Sequence, residues 1–591
     1  MCSTLNQSLE HKRHTLAHIL AKAIIDQFPH AKLTLGPAID TGFYYDVDFG
    51  GGPALGDDGL KDVQKTMKKL LNTWTTWSHR EVSVEEAREV FAGNQFKLEL
   101  IEEIAARGET ITLYTCGTGK SEFTDLCRGG HCENPSAEID ADSFKLDKVA
   151  GAYWRGDEKN PMLTRVYGLA FDTATELDTY LTQLKEAKKR DHRKLGKELD
   201  LFTFSDLVGS GLPLYTPRGT VLREELADFS ESLQKAAGFE KVWIPHITKI
   251  DLYKTSGHWD KFGDELFLVQ SQESSDSFAL KPMNCPHHTQ IFASKPRSYR
   301  DLPIRYMETT TCYRDEKTGE LGGLTRVRSL TQDDAHVFCR PDQIEQEFEA
   351  IMSMIKTMYS ALGLKFTARL SFHDPHNREK YLGSDELWYD AEAKIEAVAK
   401  KLELDYFIAP GEAAFYGPKI DIMVIDAIGR EWQCATQQLD FVQPERFGLE
   451  YTDKDGQKKT PVMIHKALLG TIDRFLGVYI EHTAGAFPLW LAPEQVRIIP
   501  VNDVHTEYGH DVLERLKIKG VRATLDADNE SMGKKIRQAK TDRLPYFIVL
   551  GDQEMNSKTV TLEKRDGTKE VLTIDDLVVQ LTHERDTRAL S

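Results

Sequence analysis

Three residues that could together bind a metal ion lie far apart in the chain. Cys285 occurs in KPMNCPHH, His336 in QDDAH and His465 in VMIHKALLG. One thiolate and two imidazoles suit zinc, and three protein ligands leave the fourth position open, as catalytic zinc requires. Single cysteines and histidines also occur in cores and on surfaces. The spacing alone leaves a zinc site and ordinary structural positions as alternatives.

A second group of histidines and cysteines lies in the first quarter of the chain. Residues 9–28 have apolar side chains at helical spacing, and His14 and His18 are four apart, so we expect them on one helix face. Cys127 and His131 are also four apart, and Asp125 precedes them. These residues could form a zinc quartet, or they could be polar groups satisfied within a core.

Arginines are concentrated around a predicted β-hairpin. Residues 304–314 and 324–330 alternate as strands do, and residues 317–323 contain three glycines and predict the connecting loop. Arginines on rigid strands suit bidentate binding of phosphate oxygens, and a salt-bridged surface hairpin is the alternative. We expect the two strands to display Arg314, Glu316, Arg326 and Arg328.

The hairpin resembles a known family. Its Tyr-Arg-Asp-Glu at residues 313–316, with a loop and a second strand, resembles motif 2 of class II aminoacyl-tRNA synthetases, and the following TQDDAHVFC is similar to the threonyl-tRNA synthetases. GFEKVWIPHI (238–247) resembles motif 1, the dimerisation element, and ALLGTIDRFLGVYIEH (467–482) resembles motif 3. The resemblance extends from about residue 11 to the C-terminus. It implies a multidomain α+β fold with a class II antiparallel-sheet catalytic core, an N-terminal α+β editing domain and a C-terminal α/β anticodon-binding domain.

The resemblance also implies a reaction. Members of this family activate threonine with ATP to threonyl-adenylate, transfer it to tRNA(Thr) and hydrolyse mischarged seryl-tRNA(Thr). It implies one zinc ion per subunit, magnesium with ATP, and tRNA(Thr), ATP, threonine and a second copy of the chain as partners. A synthetase-derived RNA-binding regulator and a stand-alone tRNA deacylase are the alternatives, and the intact motif arginines and zinc ligands disfavour both.

Family roles are assigned to individual residues by the same resemblance. Three departures from the family pattern are Leu330 for an aromatic residue that stacks on adenine, Asp473 for glutamate and Glu563 for an arginine that reads the anticodon. For residues 14–131 the family implies a metal-free hydrolytic site, which we adopt over the two alternatives above. The implied roles are zinc binding (Cys285, His336, His465), ATP binding (Arg314, Glu316, Arg326, Gln433, Arg474), substrate binding (Gln332, Asp334, Tyr416, Gln438), catalysis (Arg314, Arg474, His258, Lys419), editing (His14, His18, Tyr45, Lys97, Asp125, Cys127, His131) and anticodon contact (Glu554).

Length and composition agree with a multidomain enzyme. A chain of 591 residues is too long for one core, and its net charge of −18 argues against indiscriminate nucleic-acid binding. Eight scattered cysteines predict a reducing cytoplasm, and no segment predicts a membrane span or a secretory signal. The early position of His14 predicts that the family's N-terminal ubiquitin-like domain is absent. The predicted domains are editing (1–175), a basic linker helix that could contact tRNA (176–200), catalytic (201–490) and anticodon-binding (491–591).

Overall fold

The structure is a computed structural model that describes residues 2–590. The chain divides into two compact units, Met1–Lys185 and Glu186–Ser591. The division falls within the helix Ala174–Arg190. Each unit has its own hydrophobic core. Among the described residues, no helix is both long enough and apolar enough to cross a bilayer.

The first unit packs a long helix against a β-sheet. The helix Cys2–Gln27 buries Leu16, Ile19, Leu20 and Ile24, which confirms the predicted amphipathic pattern. A smaller antiparallel sheet consists of Trp77–Val82, Ile111–Cys116 and Phe123–Leu126. The main sheet has the strands Lys32–Leu33, Ala38–Ile39, Gly42–Asp48, Phe144–Tyr153 and Met162–Ala170, and the other α-helices are Leu60–Leu71, Val84–Val90, Gln95–Ala106 and Pro135–Glu138.

An eight-stranded sheet forms the centre of the second unit. Its six inner strands pair antiparallel, and the short strand at each edge pairs parallel with its neighbour. The helices Ile344–Ala361 and Ile472–Thr483 contribute to the core that this sheet buries. In spatial order the strands are Glu240–Lys241, Ile304–Tyr313, Ser329–Cys339, Val462–Thr471, Glu431–Asp440, Lys419–Ile425, Phe366–Phe372 and Tyr406–Pro410.

Alternation along these strands separates a core face from a polar face. Successive side chains point to opposite faces, so Ala335 and Val337 enter the core while the residues between and beside them point the other way. His336 pairs in register with His465, which pairs with Gln438, which pairs with Lys419. Directly paired residues share a face of the sheet, and so do alternate residues of one strand. The polar residues of these four strands therefore lie on one face.

The motif 2 hairpin differs from its prediction in one strand. The strand Ile304–Tyr313 confirms the first half, but the second strand is Ser329–Cys339, so residues 324–328 are irregular. Two of their backbone donors bond outside the hairpin, since the N–H of Leu324 donates to His192 Nε2 and that of Arg328 to the carbonyl of Gly211. The N–H of Thr325 donates to Gly322 within the loop. The arginines after residue 313 therefore lie on the loop and not on rigid strands.

The predicted single linker helix is also wrong. Two helices, Ala174–Arg190 and His192–Glu198, are separated at Asp191. The Asp191 side chain accepts a hydrogen bond from the N–H of Arg193, which is the N-cap arrangement that begins a new helix. The N–H of His192 donates to Glu481 instead of continuing the first helix.

The rest of the second unit surrounds or follows the large sheet. The helix Pro217–Ala236 precedes the motif 1 strand, and a three-stranded sheet consists of Ile247–Lys249, Leu268–Gln270 and Ser277–Leu280. Further α-helices are Asp251–Ser256, His258–Phe262, Cys285–Ala293, Asp385–Lys401 and Val442–Arg446, and two short strand pairs are Phe202–Thr203 with Leu214–Tyr215 and Tyr451–Thr452 with Lys458–Lys459.

The last hundred residues contain a mixed sheet with helices, in agreement with the α/β domain that the resemblance implies. The strands Val496–Pro500 and Tyr546–Leu550 alternate with the helices Thr506–Ile518 and Met532–Thr541. The sheet order is Ala523–Leu525, Val496–Pro500, Tyr546–Leu550, Thr559–Lys564 and Lys569–Thr573, and the remaining helices are Asp552–Ser557 and Ile574–Thr587.

Candidate functional site

The structure brings the three predicted zinc ligands together. Cys285 begins the helix Cys285–Ala293, while His336 and His465 are register partners on adjacent strands. The ligand atoms of the three residues all lie within 4.8 Å of one another, and all three side chains are buried. One sulfur and two nitrogens at this separation fit a zinc ion, which would keep a position free for a substrate.

Neighbouring polar groups fix the orientation of this cluster. His336 Nδ1 lies 2.8 Å from His288 Nδ1, and His465 Nε2 lies 2.8 Å from a carboxylate oxygen of Asp440. Such outer partners orient metal-binding imidazoles and select their tautomer. Burial lowers the pKa of His336 well below its usual value, which keeps the imidazole in the neutral form that binds metal. Asp440 and His288 were not identified from the sequence.

The predicted substrate-binding residues surround the cluster. Gln332, Asp334 and His336 alternate along one strand, so they share the polar face. The Tyr416 ring lies 5.3 Å from the ring of His465 and 5.9 Å from that of His258. An amino acid held at the cluster would therefore contact these side chains. Gln438, the register partner of His465, donates to the carbonyl of Gly417 at 3.3 Å.

A buried carboxylate that the sequence analysis missed organises the next two strands. Asp421 is fully buried and accepts hydrogen bonds from Lys419 Nζ at 2.8 Å, Gln433 Nε2 at 2.8 Å and Arg369 Nη2 at 3.0 Å. The positive charges of Lys419 and Arg369 offset the free-energy cost of burying the Asp421 carboxylate. The signal that could have found it is an aspartate between the apolar residues of Lys419–Ile425, where a buried charge needs partners.

The motif arginines have contacts within the hairpin and with a residue of a neighbouring strand. Arg326 Nη2 lies 2.7 Å from Glu316 Oε2 and 2.6 Å from Glu320 Oε2, so the guanidinium of Arg326 pairs with two carboxylates of the motif 2 loop. Arg474 begins the motif 3 helix with its guanidinium 6.0 Å from the ring of Trp432. The N–H of Arg314 donates to the carbonyl of Arg328 at 2.9 Å, which closes the end of the hairpin.

The unusual aspartate of motif 3 has a defined structural place. Asp473 accepts hydrogen bonds from the N–H of Thr331 at 2.7 Å and from the Tyr215 hydroxyl at 2.5 Å. Burial raises the pKa of Asp473. The side chain thus fixes the motif 3 helix to the strand that carries His336. Leu330, the other departure, is buried against Cys312 and Val327.

The predicted editing residues of the first unit also converge. His14 Nε2 lies 3.2 Å from His18 Nε2 and 3.5 Å from Cys127 Sγ, and Cys127 Sγ lies 3.3 Å from His131 Nε2. Lys97 Nζ contacts Asp125 at 2.5 Å. The Tyr45 hydroxyl donates to the other oxygen of Asp125 at 2.6 Å. These groups line a cavity of about 350 Å³, except His131, which adjoins it through Cys127.

This cavity contains a charged network at neutral pH. Burial opposes ionisation of Cys127, but hydrogen bonds with His131, His14 and His18 outweigh it and lower the pKa of the thiol to about 3. Burial also disfavours charge on His18, but its hydrogen bonds with Asp125 and Cys127 raise the pKa to about 9. Burial alone would raise the pKa of Asp125. The nearby Lys97 and His18 lower it by more than burial raises it, so the pKa of Asp125 lies below its usual range. A thiolate and an imidazolium therefore coexist in the cavity.

Alkylation of Cys127 should be nearly independent of pH. Its pKa lies near 3, so the reactive thiolate is already formed at pH 6 and gains nothing as the pH rises to 8. Cys116 and Cys132 are matched controls in the same unit, since burial raises their pKa to about 11. Mass spectrometry of iodoacetamide-treated protein would measure each peptide. A Cys127 rate that rises about tenfold per pH unit would contradict the predicted thiolate.

Comparison with known proteins identifies the family. Residues 111–167 match the threonyl and alanyl tRNA synthetase second additional domain, residues 267–483 the tRNA synthetase class II core domain (G, H, P, S and T), and residues 495–584 an anticodon binding domain. The threonine–tRNA ligase of Cytophaga hutchinsonii is 48% identical over 94% of this chain and 85% of its own. That of Gloeobacter violaceus is 47% identical over 97% of this chain and 92% of its own.

The chain belongs to the threonine–tRNA ligase family. Solved structures agree: the RNA binding domain of threonyl-tRNA synthetase from Cryptosporidium parvum has a TM-score of 0.63 and 38% identity, and covers 66% of this chain and 98% of its own. A prolyl-tRNA synthetase from Giardia lamblia, at 18% identity and a TM-score of 0.55 over 69% of this chain and 82% of its own, shares the fold. The predicted family and fold class are confirmed.

The predicted anticodon residues of this threonine–tRNA ligase family member differ in accessibility. Glu554 is partly buried, and its carboxylate accepts hydrogen bonds from the N–H of Gly551 at 2.9 Å and from the Thr561 hydroxyl at 2.7 Å. Glu563 is buried and pairs with Lys540 at 2.9 Å and Lys569 at 3.3 Å. Glu563 therefore forms ion pairs with two lysines of the last hundred residues.

Proposed function

We propose that this chain activates threonine with ATP, transfers it to tRNA(Thr) and hydrolyses seryl-tRNA(Thr) at a second site. The observation that supports this proposal most directly is the buried cluster of Cys285, His336 and His465 on the polar face of a class II core. The aminoacyl-tRNA ligase activity follows from the family. The roles of individual residues and the domain boundaries at 175, 200 and 490 remain our proposals.

The first step joins threonine to the α-phosphate of ATP. The threonine carboxylate attacks the α-phosphorus, a phosphorus–oxygen bond to the leaving group breaks, and pyrophosphate departs. Positioning and charge stabilisation dominate such a step. We assign Arg314 to the α-phosphate, Arg326 and Arg474 to the outer phosphates with magnesium, and Glu316 to the adenine amino group. We assign Gln433 to ATP binding and Lys419 to catalysis, and Asp421 orients both side chains.

Selection of threonine is assigned to the buried cluster. Cys285, His336 and His465 would hold zinc, which when bound supplies a Lewis acid that both the amino group and the side-chain hydroxyl of threonine can meet. Asp334 has one carboxylate oxygen bonded to Asn284 at 2.9 Å, and its other oxygen lies 3.7 Å from His336 Nε2, beside the proposed zinc site. Gln332, Tyr416 and Gln438 would contact the rest of the amino acid.

Transfer and editing use the remaining residues. The terminal ribose hydroxyl attacks the threonyl carbonyl and AMP leaves. Burial lowers the pKa of His258 to about 3, so its imidazole is neutral at pH 7 and can accept a hydrogen bond from that hydroxyl. In the first unit, His14, His18 and Cys127 would position water against the ester of mischarged tRNA without a metal. Lys97, Asp125, Tyr45 and His131 hold these groups in place.

Several partners extend this proposal. We propose a homodimer through motif 1, where Trp243 is 76% and Ile247 44% exposed. The cytoplasmic location also remains a prediction, and Glu554 remains the proposed anticodon contact. We propose that tRNA phosphates contact the basic run of the linker, which consists of Lys185, Lys188, Lys189, Arg190, Arg193, Lys194 and Lys197.

Threonylation of tRNA tests the overall function. Purified protein with ATP, magnesium and labelled threonine should attach threonine to bacterial tRNA in an acid-precipitation assay. A transcript of tRNA(Thr) should be charged, and a transcript of tRNA(Pro) should serve as the control for a sister synthetase. Charging of tRNA(Pro) with proline, or absence of any charging by folded protein, would refute the proposal.

A further inference from the structure

A third cluster of potential ligands lies outside the sites described above. Asp191, His192 and Glu481 have their ligand atoms within 4.8 Å of one another. His192 Nδ1 lies 2.6 Å from Glu481 Oε1, and His192 Nε2 lies 2.9 Å from the backbone nitrogen of Leu324. A backbone N–H can only donate, so Nε2 accepts and Nδ1 carries the proton. Both ring nitrogens are therefore occupied, which excludes His192 as a cation ligand in this arrangement.

The same contacts connect three separate segments of the second unit. His192 begins the second linker helix, Glu481 lies near the end of the motif 3 helix Ile472–Thr483, and Leu324 lies on the motif 2 loop. His192 is 4% exposed and Leu324 is fully buried. Glu481 also accepts hydrogen bonds from the N–H of His192 at 3.0 Å and from Arg430 Nη2 at 2.5 Å. The imidazole is thus held rigidly where it meets the loop.

Two glycines allow this close approach. Gly323 has a φ of +63°, and a Cβ there would lie 2.3 Å from His192 Nε2. On the motif 3 helix, a Cβ on Gly477 would lie 3.3 Å from Leu324 Cβ and 3.6 Å from His192 Cδ2. A side chain at Gly323 would have to displace the imidazole or the loop. The loop therefore has a sterically defined position against His192 and the helix.

We propose that His192 is a positioning residue for ATP: it holds the motif 2 loop, which carries Glu316 and Arg326, against the motif 3 helix, which carries Arg474. The interaction also places the end of the linker in direct contact with the ATP-binding loop. This inference rests on the proposed ATP-binding role of the loop. The inference predicts that His192, a linker residue, affects the affinity for ATP without affecting amino-acid selection.

The test measures ATP–pyrophosphate exchange with threonine in His192→Ala and His192→Gln. Loss of the hydrogen bond that His192 accepts from the Leu324 amide should raise the KM for ATP by about two- to tenfold. The KM for threonine should stay within about twofold, because the substitution weakens the binding of ATP and not that of threonine. Glutamine has an amide N–H and a carbonyl that can replace the two ring nitrogens, so it should restore part of the ATP affinity.

Two further measurements separate positioning from general destabilisation. Hydrogen exchange at the Leu324 amide should accelerate in His192→Ala, while amides of the strand Val462–Thr471 keep their protection. Gly323→Ala should also raise the KM for ATP, and its effect should be smaller in the His192→Ala background, where the clash is relieved. Gly323→Ala and His192→Gln keep the test decisive if His192→Ala does not fold.

His482 provides the matched control. It follows Glu481 on the same helix, and its Nδ1 has no hydrogen-bond partner among residues 2–590. His482→Ala should leave the KM for ATP unchanged. Equal rises in both KM values, an unchanged KM for ATP, or additive effects of His192→Ala and Gly323→Ala would overturn the inference. Absence of threonine-dependent exchange in the unmodified protein would instead refute the proposed function.

Discussion

Cys285→Ser should remove bound zinc and threonine activation together. A serine hydroxyl is a poor zinc ligand compared with a thiolate, and the two remaining imidazoles cannot complete the site. Since outer-shell changes already cost about 10–100-fold in metal affinity, loss of a direct ligand should cost more. Zinc per chain, measured by plasma emission spectrometry, should fall from about one to near zero. Threonine-dependent ATP–pyrophosphate exchange should fall with it.

Cys339→Ala is the matched control for this variant. Cys339 lies on the same strand as His336, but it belongs to the hydrophobic core on the opposite face of the sheet. Its replacement should lower thermal stability slightly and leave both zinc content and exchange intact. Retention of full zinc and normal exchange by Cys285→Ser would show that the cluster does not select the amino acid.

His18→Ala should abolish hydrolysis of seryl-tRNA while charging continues. His18 contacts His14 and Asp125, and its raised pKa of about 9 makes it a cation beside the Cys127 thiolate at neutral pH. Positioned acid–base groups contribute about 10²–10⁴-fold, so deacylation should fall by a factor in this range. The measurement is release of labelled serine from preformed seryl-tRNA(Thr). Threonylation should remain at its original rate.

The control for editing is His30→Ala. His30 is exposed and lies in the turn after the same helix, away from the editing residues. The His30→Ala variant should deacylate seryl-tRNA at the rate of the unmodified protein. Normal deacylation by His18→Ala would remove the editing assignment, whereas parallel loss of threonylation and deacylation would indicate a global defect of the protein.

Local patterns in the sequence predict much of this fold. The apolar period of 3.6 locates the helix Cys2–Gln27, and alternation locates the strand Ile304–Tyr313. Residues 324–328 also alternate, but the N–H groups of Leu324 and Arg328 bond to His192 and Gly211, which are distant in the sequence. Local alternation cannot reveal such partners. The linker is divided into two helices at Asp191 for the same reason: the N–H of His192 donates to Glu481, which is distant in the sequence.

The site is predictable only in part. Resemblance assigns Cys285, His336 and His465 to one cluster, and the cross-strand register supplies the physical reason for the proximity of the two histidines. The supporting groups escape prediction because their roles depend on strand pairing. His192 is a single polar residue whose partners Glu481 and Leu324 are distant in the sequence, so no local spacing distinguishes it from a surface residue. Asp421 differs locally only as a charged residue within an apolar strand, and its partners Gln433 and Arg369 lie on other strands.

The central claim is that the buried cluster selects an amino acid by its hydroxyl group and therefore needs a second site to remove serine. ATP–pyrophosphate exchange with threonine, serine and valine tests it most directly. Serine lacks one methyl group, so its kcat/KM should lie within about 10–200-fold of that for threonine. Valine lacks the hydroxyl, so its kcat/KM should be lower by about 10⁴-fold or more. Exchange with valine at the level of serine would contradict the account.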